Sequence, residues 1–362
     1  MTTPLPQPSI LTISPYVGGK SSAGDNRKVA KLSSNESPLG PSPKAVEAVR
    51  SAAANAHRYP DGGAHDLIAA IAEVHGLDPA RIVCGNGSDE LISLLNTAYV
   101  GPGDEVLYSE YGFLMYAISA TVAGATPVKA PELNRTVSVD NLLAAVTERT
   151  KLVFLANPNN PTGTYLPHSE VKRLRDGLRP DILLVLDAAY AEYVSNDDYS
   201  AGEELVEAHD NVVMTRTFSK IYGFAALRLG WAYCPPAVAD VLHRVRGPFN
   251  VNALAQAGGV EAVRDQQHVE AARRHNDKWL PILTQAFRGM GLGVTPSVGN
   301  FLLIDFEGTG KTAAEAESYL AAEGLLLRAV AGYGLPTCLR MSIGLDDEND
   351  AVIEALRKFL GK

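Results

Sequence analysis

Short apolar runs alternate with helix-like segments over the first two thirds of the sequence, and this alternation most limits the possible folds. Residues 151–155 and 182–186 are apolar at almost every position, and each run is followed by a turn and then a helical pattern. Strands that are apolar on both faces and are separated by helices pair in parallel beneath a helical cover. The sequence therefore predicts an α/β fold with a mostly parallel sheet flanked by helices.

The pattern changes at about residue 249. A long helical stretch runs to about residue 288, and strand-like segments at 301–305, 325–328 and 339–343 then alternate with helices at 313–322 and 348–359. This pattern predicts a smaller α+β C-terminal domain, as expected for a chain of 362 residues. We expect an extended N-terminal arm with little structure at 1–34, a large domain at 35–248 and a small domain at 249–362.

Composition excludes several classes of protein. The net charge of -9 argues against a nucleic-acid partner. The three cysteines are far apart and odd in number, which favours a reducing compartment such as the cytoplasm over a disulfide framework. Histidines and cysteines lack metal-ligand spacing, and no apolar run reaches the roughly 18 residues of a membrane span. We expect a soluble cytoplasmic enzyme without a metal, a membrane anchor or a signal peptide.

Unusual polar and glycine-rich segments follow four of the predicted strands. They are the glycine-rich turn at 85–88, Asn160, Asp187 and Lys220. Because chemistry in a parallel sheet collects at the carboxyl ends of the strands, we expect these four segments to meet in one site.

Lys220 lies between two apolar segments. Poor solvation disfavours the charged form of an amine and lowers its pKa. A lysine that is neutral near pH 7 can form a Schiff base with an aldehyde. A lone lysine more often extends to the surface, so the reactive interpretation depends on the neighbouring signals.

Asp187 and Tyr190 are the first of these signals. A carboxylate beside a reactive lysine can hold a proton on a pyridine nitrogen, the pairing that pyridoxal phosphate (PLP) enzymes use. The Tyr190 phenol and the Asn160 amide can both hydrogen-bond the O3′ oxygen of such a ring. Taken singly, these residues also fit a capping aspartate, an interface tyrosine and a turn asparagine before Pro161.

A phosphate site is predicted at the start of the helix after the first strand. Gly87, Ser88 and Asp89 open that helix, so its backbone N–H groups and dipole favour an anion. Ser219 and Arg228 add a hydroxyl and a guanidinium. Tyr59, on a loop rich in Pro and Gly, is a further candidate, and this loop is in a position to reach across a subunit boundary.

Two other motifs compete with this interpretation. Residues 85–90 begin like a dinucleotide-binding G-x-G-x-x-G, but Glu90 replaces the third glycine, so a nicotinamide oxidoreductase is a weak alternative. Residues 217–220 resemble the S-x-x-K of penicillin-recognising hydrolases. That motif is rejected, since Thr217 replaces the serine and neither S-D-N nor K-T-G follows.

Five motifs together carry a resemblance to a known family. They are Asn160-Pro-Thr-Gly163, Asp187-Ala-Ala-Tyr190, Ser219-Lys220, Arg228-Leu-Gly230 and Leu339-Arg-Met-Ser-Ile-Gly344. Their order resembles fold-type I, PLP-dependent aminotransferases. Segments 35–43, 58–61, 157–161 and 332–336 are more closely similar to the histidinol-phosphate aminotransferases. The resemblance runs from about Tyr16 to the end of the chain.

The resemblance implies roles for individual residues. Lys220 is the implied Schiff-base residue and proton carrier, Asp187 the pyridinium partner, and Tyr190 the third catalytic residue. The implied cofactor-binding set is Gly87, Ser88, Asp89, Phe113, Asn160, Asp187, Tyr190, Thr217, Ser219, Lys220, Arg228 and Tyr59.

The resemblance also implies substrate contacts and a homodimer. Arg340 is similar to the arginine that meets the substrate anion, with Arg328, Tyr16 and Asn160 as further substrate-binding residues. Tyr59 would enter the neighbouring subunit's site. The aromatic residue that stacks on the ring is Phe113 by its distance from Tyr116, with Tyr111 as the alternative.

The implied reaction is amino-group transfer between histidinol phosphate and 2-oxoglutarate in histidine biosynthesis. Three alternatives within PLP chemistry stay open at this point. They are an aromatic amino acid aminotransferase, a decarboxylase of a phosphorylated amino acid, and a non-catalytic PLP-binding protein.

Overall fold

The computed structural model describes residues 4–16, 18–22 and 29–362. The strands in these ranges are β1 (Ala30–Lys31), β2 (Ile82–Gly85), β3 (Glu105–Ser109), β4 (Thr126–Ala130), β5 (Thr150–Ala156), β6 (Leu183–Asp187), β7 (Val212–Thr217), β8 (Gly230–Tyr233), β9 (Gly293–Val294), β10 (Phe301–Asp305), β11 (Leu325–Leu326), β12 (Arg328–Ala329) and β13 (Cys338–Ser342). The helices are α1 (Pro43–Ala53), α2 (His65–His75), α3 (Ser88–Tyr99), α4 (Leu114–Val122), α5 (Val139–Ala144), α6 (His168–Gly177), α7 (Glu203–Ala208), α8 (Pro236–Val245), α9 (Ala253–Arg264), α10 (Gln266–Gly289), α11 (Ala313–Ala322) and α12 (Asp346–Leu360).

A seven-stranded sheet forms the centre of the fold, in the order β2-β8-β7-β6-β5-β3-β4. Strands β3 to β7 pair in parallel, whereas β8 runs antiparallel to both β2 and β7. The mostly parallel sheet is as predicted. Strand β8 was not predicted; the connection from β7 carries only a 3-10 turn at Ala225–Leu227, and without a crossover helix the chain returns antiparallel.

Both faces of this sheet are covered by apolar side chains. Along β6, Leu184 and Leu186 belong to the core on one face, while Leu183 and Val185 belong to the core on the other. This alternation follows from the two-residue period of a strand. Helices α1, α2 and α9 contribute to the first core, and α3, α4 and α8 to the second.

The C-terminal part builds a separate antiparallel sheet, in the order β12-β13-β10-β9. Its core includes Trp279 and Leu283 of α10, Leu302 of β10 and Val352 of α12. The α+β character predicted for this region is therefore present.

The helical region after residue 249 differs from the predicted one. The expected long helix from about residue 249 is two helices, and Ala255 and Val263 of the first one, α9, pack in the core of the large sheet. The predicted division of the chain at 248/249 stays a prediction.

The N-terminal segment contains two short elements within the extended arm that the sequence predicts. Residues Pro8–Thr12 form a 3-10 helix, and β1 pairs in parallel with β11. Leu32 is 2% exposed in the C-terminal core. Because Leu32 buries an apolar side chain there, residues 30–32 are anchored to the C-terminal unit.

The register of the sheet sets the geometry of one edge. Asp187 at the end of β6 lies beside Ala156 of β5 and Thr215 of β7. Strand β8 lies on the other side of β7 from β6, and its Gly230 lies against the start of α3. A Cβ at Gly230 would lie 2.4 Å from the Ser88 nitrogen, so only glycine permits this approach.

None of the described helices combines the length and apolar character that crossing a membrane requires.

Candidate active site

A cavity of about 230 Å³ lies at the carboxyl ends of the parallel strands. A second opening adjoins it and shares Phe113, Asn160, Tyr190 and Lys220 in its walls. Ten of the predicted site residues line the first cavity: Ser88, Asp89, Phe113, Asn160, Asp187, Tyr190, Thr217, Ser219, Lys220 and Arg228. Tyr16, Arg328 and Arg340 line the adjoining opening.

Lys220 lies three residues beyond Thr217, where β7 ends. Its Nζ donates a hydrogen bond to the Ser34 carbonyl at 3.2 Å and lies 5.7 Å from the centre of the Tyr190 ring. Burial, aided by the positive charge of Arg340, lowers the pKa of Lys220 to about 8. The amine is therefore available in its neutral, nucleophilic form near neutral pH.

Asp187 ends β6 with its carboxyl group buried in the cavity wall. Burial raises the pKa of Asp187 to about 6, and hydrogen bonds from Tyr116 and Thr215 oppose that rise. The Tyr116 hydroxyl donates to Oδ2 at 2.6 Å, and Thr215 Oγ1 donates to Oδ1 at 3.5 Å. Asp187 is therefore largely ionised at pH 7 and can face a positive group.

Tyr190 forms another wall of the cavity. Its hydroxyl accepts a hydrogen bond from Asn35 Nδ2 at 2.8 Å, and burial raises its pKa. The phenol therefore keeps its proton and can donate it to an acceptor in the cavity. Asn35 is held at a φ of 55°, which asparagine tolerates better than most residues.

A cradle for an anion lies where α3 begins. Gly87 has a φ of 82°, and α3 has no side-chain cap at that end. Arg228 donates to Ser219 Oγ at 3.3 Å and to Asp89 Oδ2 at 2.9 Å. A Cβ on Gly87 would lie 2.7 Å from Arg228 Nη2, so the glycine keeps the space between the helix end and the guanidinium open.

The backbone and the side chain of Asp89 have opposite effects on anion binding in this cradle. Its backbone lies in the first turn of α3, as predicted for a phosphate site, but its carboxylate is paired with Arg228. An anion that binds here therefore competes with the Asp89 side chain for the guanidinium.

Arg340 of β13 is buried, at 6% exposure. Its Nη1 donates to Asn160 Oδ1 at 2.5 Å and its Nη2 to the Ser33 carbonyl at 2.9 Å. Its Nε is enclosed and has no hydrogen-bond partner among the described residues. Arg340 is therefore not exposed at the surface, where Asp346 pairs with Lys278 instead.

Phe113 and Tyr111 occupy different environments. Phe113 lines both the cavity and the adjoining opening. Tyr111 packs instead against the cluster that contains Tyr333 and Leu335. The geometry favours Phe113 of the two candidates for the aromatic wall, and its stacking role stays a prediction.

Three further candidates lie at the periphery. The Arg328 guanidinium lies 5.9 Å from the centre of the Tyr16 ring at the adjoining opening. Tyr59 is 82% exposed and stacks on Phe249 with ring centres 4.7 Å apart. Tyr59 lines neither cavity, so a single chain does not bring it to the site.

Sequence reasoning missed two side chains that support the site. Tyr116 was used only to locate Phe113 in the sequence, and its contact with Asp187 spans 71 positions. Asn35 was noticed in a turn-dense segment, and its contact with Tyr190 spans 155 positions. The turn-forming sequence around Asn35 is typical of the left-handed backbone found there. No local sequence feature indicates the contact that Tyr116 makes.

These groups fit a phosphorylated pyridine aldehyde such as PLP. The cavity offers an amine, a carboxylate, a phenol and an uncapped helix end beside a guanidinium. The enclosed Arg340 Nε, which lacks a partner among the described residues, adds a donor for a substrate anion.

Comparisons with known proteins agree with this chemistry. The family model for aminotransferase class I and II matches residues 27–356. The chain is 60% identical over 362 residues to a histidinol-phosphate aminotransferase of Paramagnetospirillum magneticum, and 56% identical over 360 residues to one of Rhodospirillum centenum. The first alignment covers 100% of both chains and the second 99% of both.

A solved structure of histidinol-phosphate aminotransferase from Sinorhizobium meliloti, in complex with pyridoxal-5'-phosphate, superposes with a TM-score of 0.89. That match is 30% identical in sequence and covers 98% of this chain and 97% of the other. The family match over most of the chain and the full-length relatives lead to one conclusion: the chain belongs to the aminotransferase class I and II family.

Proposed function

We propose that this chain is a PLP-dependent aminotransferase that moves an amino group between histidinol phosphate and 2-oxoglutarate, a step of histidine biosynthesis. The observation that carries the proposal is the placement of the Lys220 amine, the Asp187 carboxylate and the Arg340 guanidinium around two adjoining cavities. The names of the full-length relatives support the choice of substrate.

The residues that would hold PLP follow from the site. Lys220 would bind it covalently through Nζ, Asp187 would face the ring nitrogen, and Tyr190 with Asn160 would donate to the ring oxygen. The start of α3 with Ser219 and Arg228 would hold the phosphate. When bound, the cofactor supplies an aldehyde carbon for the amino group and a ring that accepts electrons from the substrate.

Proton movement is assigned to Lys220 and Tyr190. The lowered pKa of Lys220 lets Nζ take a proton from a carbon acid and return it at near-neutral pH. Tyr190, whose pKa is raised by burial, keeps its proton and donates a hydrogen bond without ionising. The Asn35 contact fixes the direction of that hydroxyl.

Binding of the substrate anion is assigned to Arg340. Two of its nitrogens are held by Asn160 and Ser33, which orients the plane of the guanidinium. A planar fork fits either a carboxylate or two oxygens of a phosphate, so one arginine can serve both substrates in turn. Arg328 and Tyr16 at the same opening are proposed to assist.

The purified protein should form glutamate from histidinol phosphate and 2-oxoglutarate. Histidinol, which lacks the phosphate, should react with a kcat/KM lower by at least about tenfold, since a charged hydrogen bond contributes about 1.5–3 kcal/mol. Coupled measurement of glutamate checks both substrates. Faster transfer from phenylalanine or tyrosine would instead indicate an aromatic aminotransferase, and release of carbon dioxide without transfer would indicate a decarboxylase.

Covalent attachment of PLP to Lys220 should depend on pH with a midpoint near 8. An amine with this pKa is half neutral at pH 8 and about one tenth neutral at pH 7, whereas an ordinary lysine is almost fully charged at both. Borohydride trapping of cofactor-free protein over a pH series, followed by peptide mass spectrometry, locates and quantifies the link.

The variant Lys220→Ala should show no trapped peptide and no measurable transfer. Lys278→Ala, which removes an exposed lysine paired with Asp346, is the matched control and should behave as wild type. Normal transfer by Lys220→Ala would refute the assignment.

The variant Arg340→Lys should bind PLP normally but lose kcat/KM for both substrates. A lysine offers a point charge in place of three donors in a plane, and we expect a cost of about 1.5–3 kcal/mol in each half-reaction. Single-turnover measurements separate the two half-reactions. Arg357→Lys, on the exposed face of α12, is the control. Loss of cofactor in place of substrate affinity would contradict the assignment.

We also propose that the enzyme is a cytoplasmic homodimer. Tyr59 and Phe249 form a stacked, exposed aromatic pair outside the single-chain site. An exposed aromatic pair of this kind fits a surface that a second copy of the chain covers. The three cysteines are buried and free, which fits a reducing compartment.

Mixing Lys220→Ala chains with Tyr59→Ala chains should restore part of the activity that each variant lacks alone. If Tyr59 completes the partner's site, a hybrid dimer contains one site free of both substitutions. The measurement is transfer activity after mixing and re-equilibration, with sedimentation to report the assembly. A fully active monomer would contradict this proposal, and failure of mixing to raise activity in confirmed hybrid dimers would contradict the role of Tyr59.

A further inference from the structure

We propose that Tyr116 is a positioning residue that keeps the Asp187 carboxylate ionised and oriented toward the cavity. The inference rests on the proposed role of Asp187 as the partner of the cofactor's ring nitrogen. Its basis is the 2.6 Å hydrogen bond from the Tyr116 hydroxyl to Asp187 Oδ2. A donor that binds the ionised form of a buried acid stabilises that form.

The Tyr116 phenol is held rigidly by the aromatic rings around it. It is 1% exposed and stacks on Phe154, with ring centres 4.7 Å apart and planes at 8°. It also meets the edge of Phe113 at 5.8 Å and 89°. Because Phe113 lines the cavity and directly precedes α4, this helix sets both the aromatic wall and the donor to Asp187.

Few groups around Asp187 can take over this role. Thr215 of β7 donates at 3.5 Å, well beyond the Tyr116 distance, and the Ala189 backbone also lowers the pKa of Asp187. Asp89 of α3 is a like charge that raises it. The phenols of Tyr190 and Tyr199 also interact with Asp187.

Burial and the Tyr116 hydrogen bond therefore shift the pKa of Asp187 in opposite directions. Burial alone pushes Asp187 toward its neutral form, and a neutral carboxylic acid cannot stabilise a positive charge on a ring nitrogen. Tyr116 supplies the shorter of the two side-chain hydrogen bonds that oppose this push. Removing its hydroxyl should therefore raise the pKa of Asp187 into the range where the enzyme works.

The decisive experiment compares two cofactors on Tyr116→Phe. One is PLP, and the other is its carbocyclic analogue, in which a C–H group replaces the ring nitrogen. Wild type should bind PLP more tightly than the analogue. Tyr116→Phe should bind PLP about tenfold more weakly while its affinity for the analogue stays within about twofold, the scale of one hydrogen bond to a charged group.

Tyr108→Phe is the matched control. Tyr108 is 2% exposed on β3, and its ring meets Tyr116 at 6.1 Å, so the substitution removes a buried phenol from the same aromatic cluster. It should leave the preference for PLP over the analogue unchanged.

A second readout uses the cofactor-free protein. Infrared titration with ¹³C-carboxyl aspartate, with the Asp187 band identified by its loss in Asp187→Asn, reports ionisation of this side chain directly. In Tyr116→Phe the midpoint should rise by about one to two pH units. If that variant fails to fold, 3-fluorotyrosine in place of Tyr116 retains the hydroxyl as a stronger donor and should lower the midpoint.

The outcomes are distinguishable. Equal weakening of both cofactors by Tyr116→Phe, or an unchanged Asp187 midpoint, would overturn the role of Tyr116 and leave the proposed function in place. Equal affinity of wild type for both cofactors would overturn the role of Asp187 itself, and with it the inference drawn from it.

Discussion

Desolvation at one edge of the central sheet is the constraint on which the site depends. It moves the pKa of the Lys220 amine down to about 8 and that of the Asp187 carboxyl up to about 6, so both values approach neutrality from opposite sides. Parallel register produces this arrangement, because the ends of β6 and β7 lie side by side beneath packed helices. A base and an acid with shifted pKa values in one cleft are typical of a functional site.

Each of the buried polar groups at this edge has a specific hydrogen-bond partner. Tyr116 serves Asp187, Asn35 serves Tyr190, and the Ser34 carbonyl serves Lys220. All three supports come from parts of the chain outside the strands that carry the reactive groups. A buried polar group without such a partner would cost about 1–3 kcal/mol, so these contacts are structural requirements as well as chemical ones.

The parts of the fold and the site that could be predicted are those with a signal in the local sequence. Lys220, Asp187 and Asn160 were predicted to share one site because each lies at the end of an apolar strand or a few residues after it, and chemistry collects at strand ends. The role of Tyr116 and the placement of α9 were not predicted, because both depend on which distant segments meet in the fold. Strand β8 was not predicted for a related reason, since its four residues take their partners from the distant strand β2 as well as from β7.

The N-terminal segment contributes contacts to the site although its sequence predicts little structure. Residues 33–35 contribute two backbone carbonyls and one side chain, which contact Arg340, Lys220 and Tyr190 respectively. Backbone carbonyls leave no mark on the residue type, so composition cannot reveal them. They reach the cavity because Leu32 and β1 anchor the segment to the C-terminal unit, which also carries Arg340. Arg340, the proposed substrate-binding residue, and the segment that contacts Lys220 therefore both belong to this unit, whereas Lys220 and Asp187 lie at the edge of the central sheet.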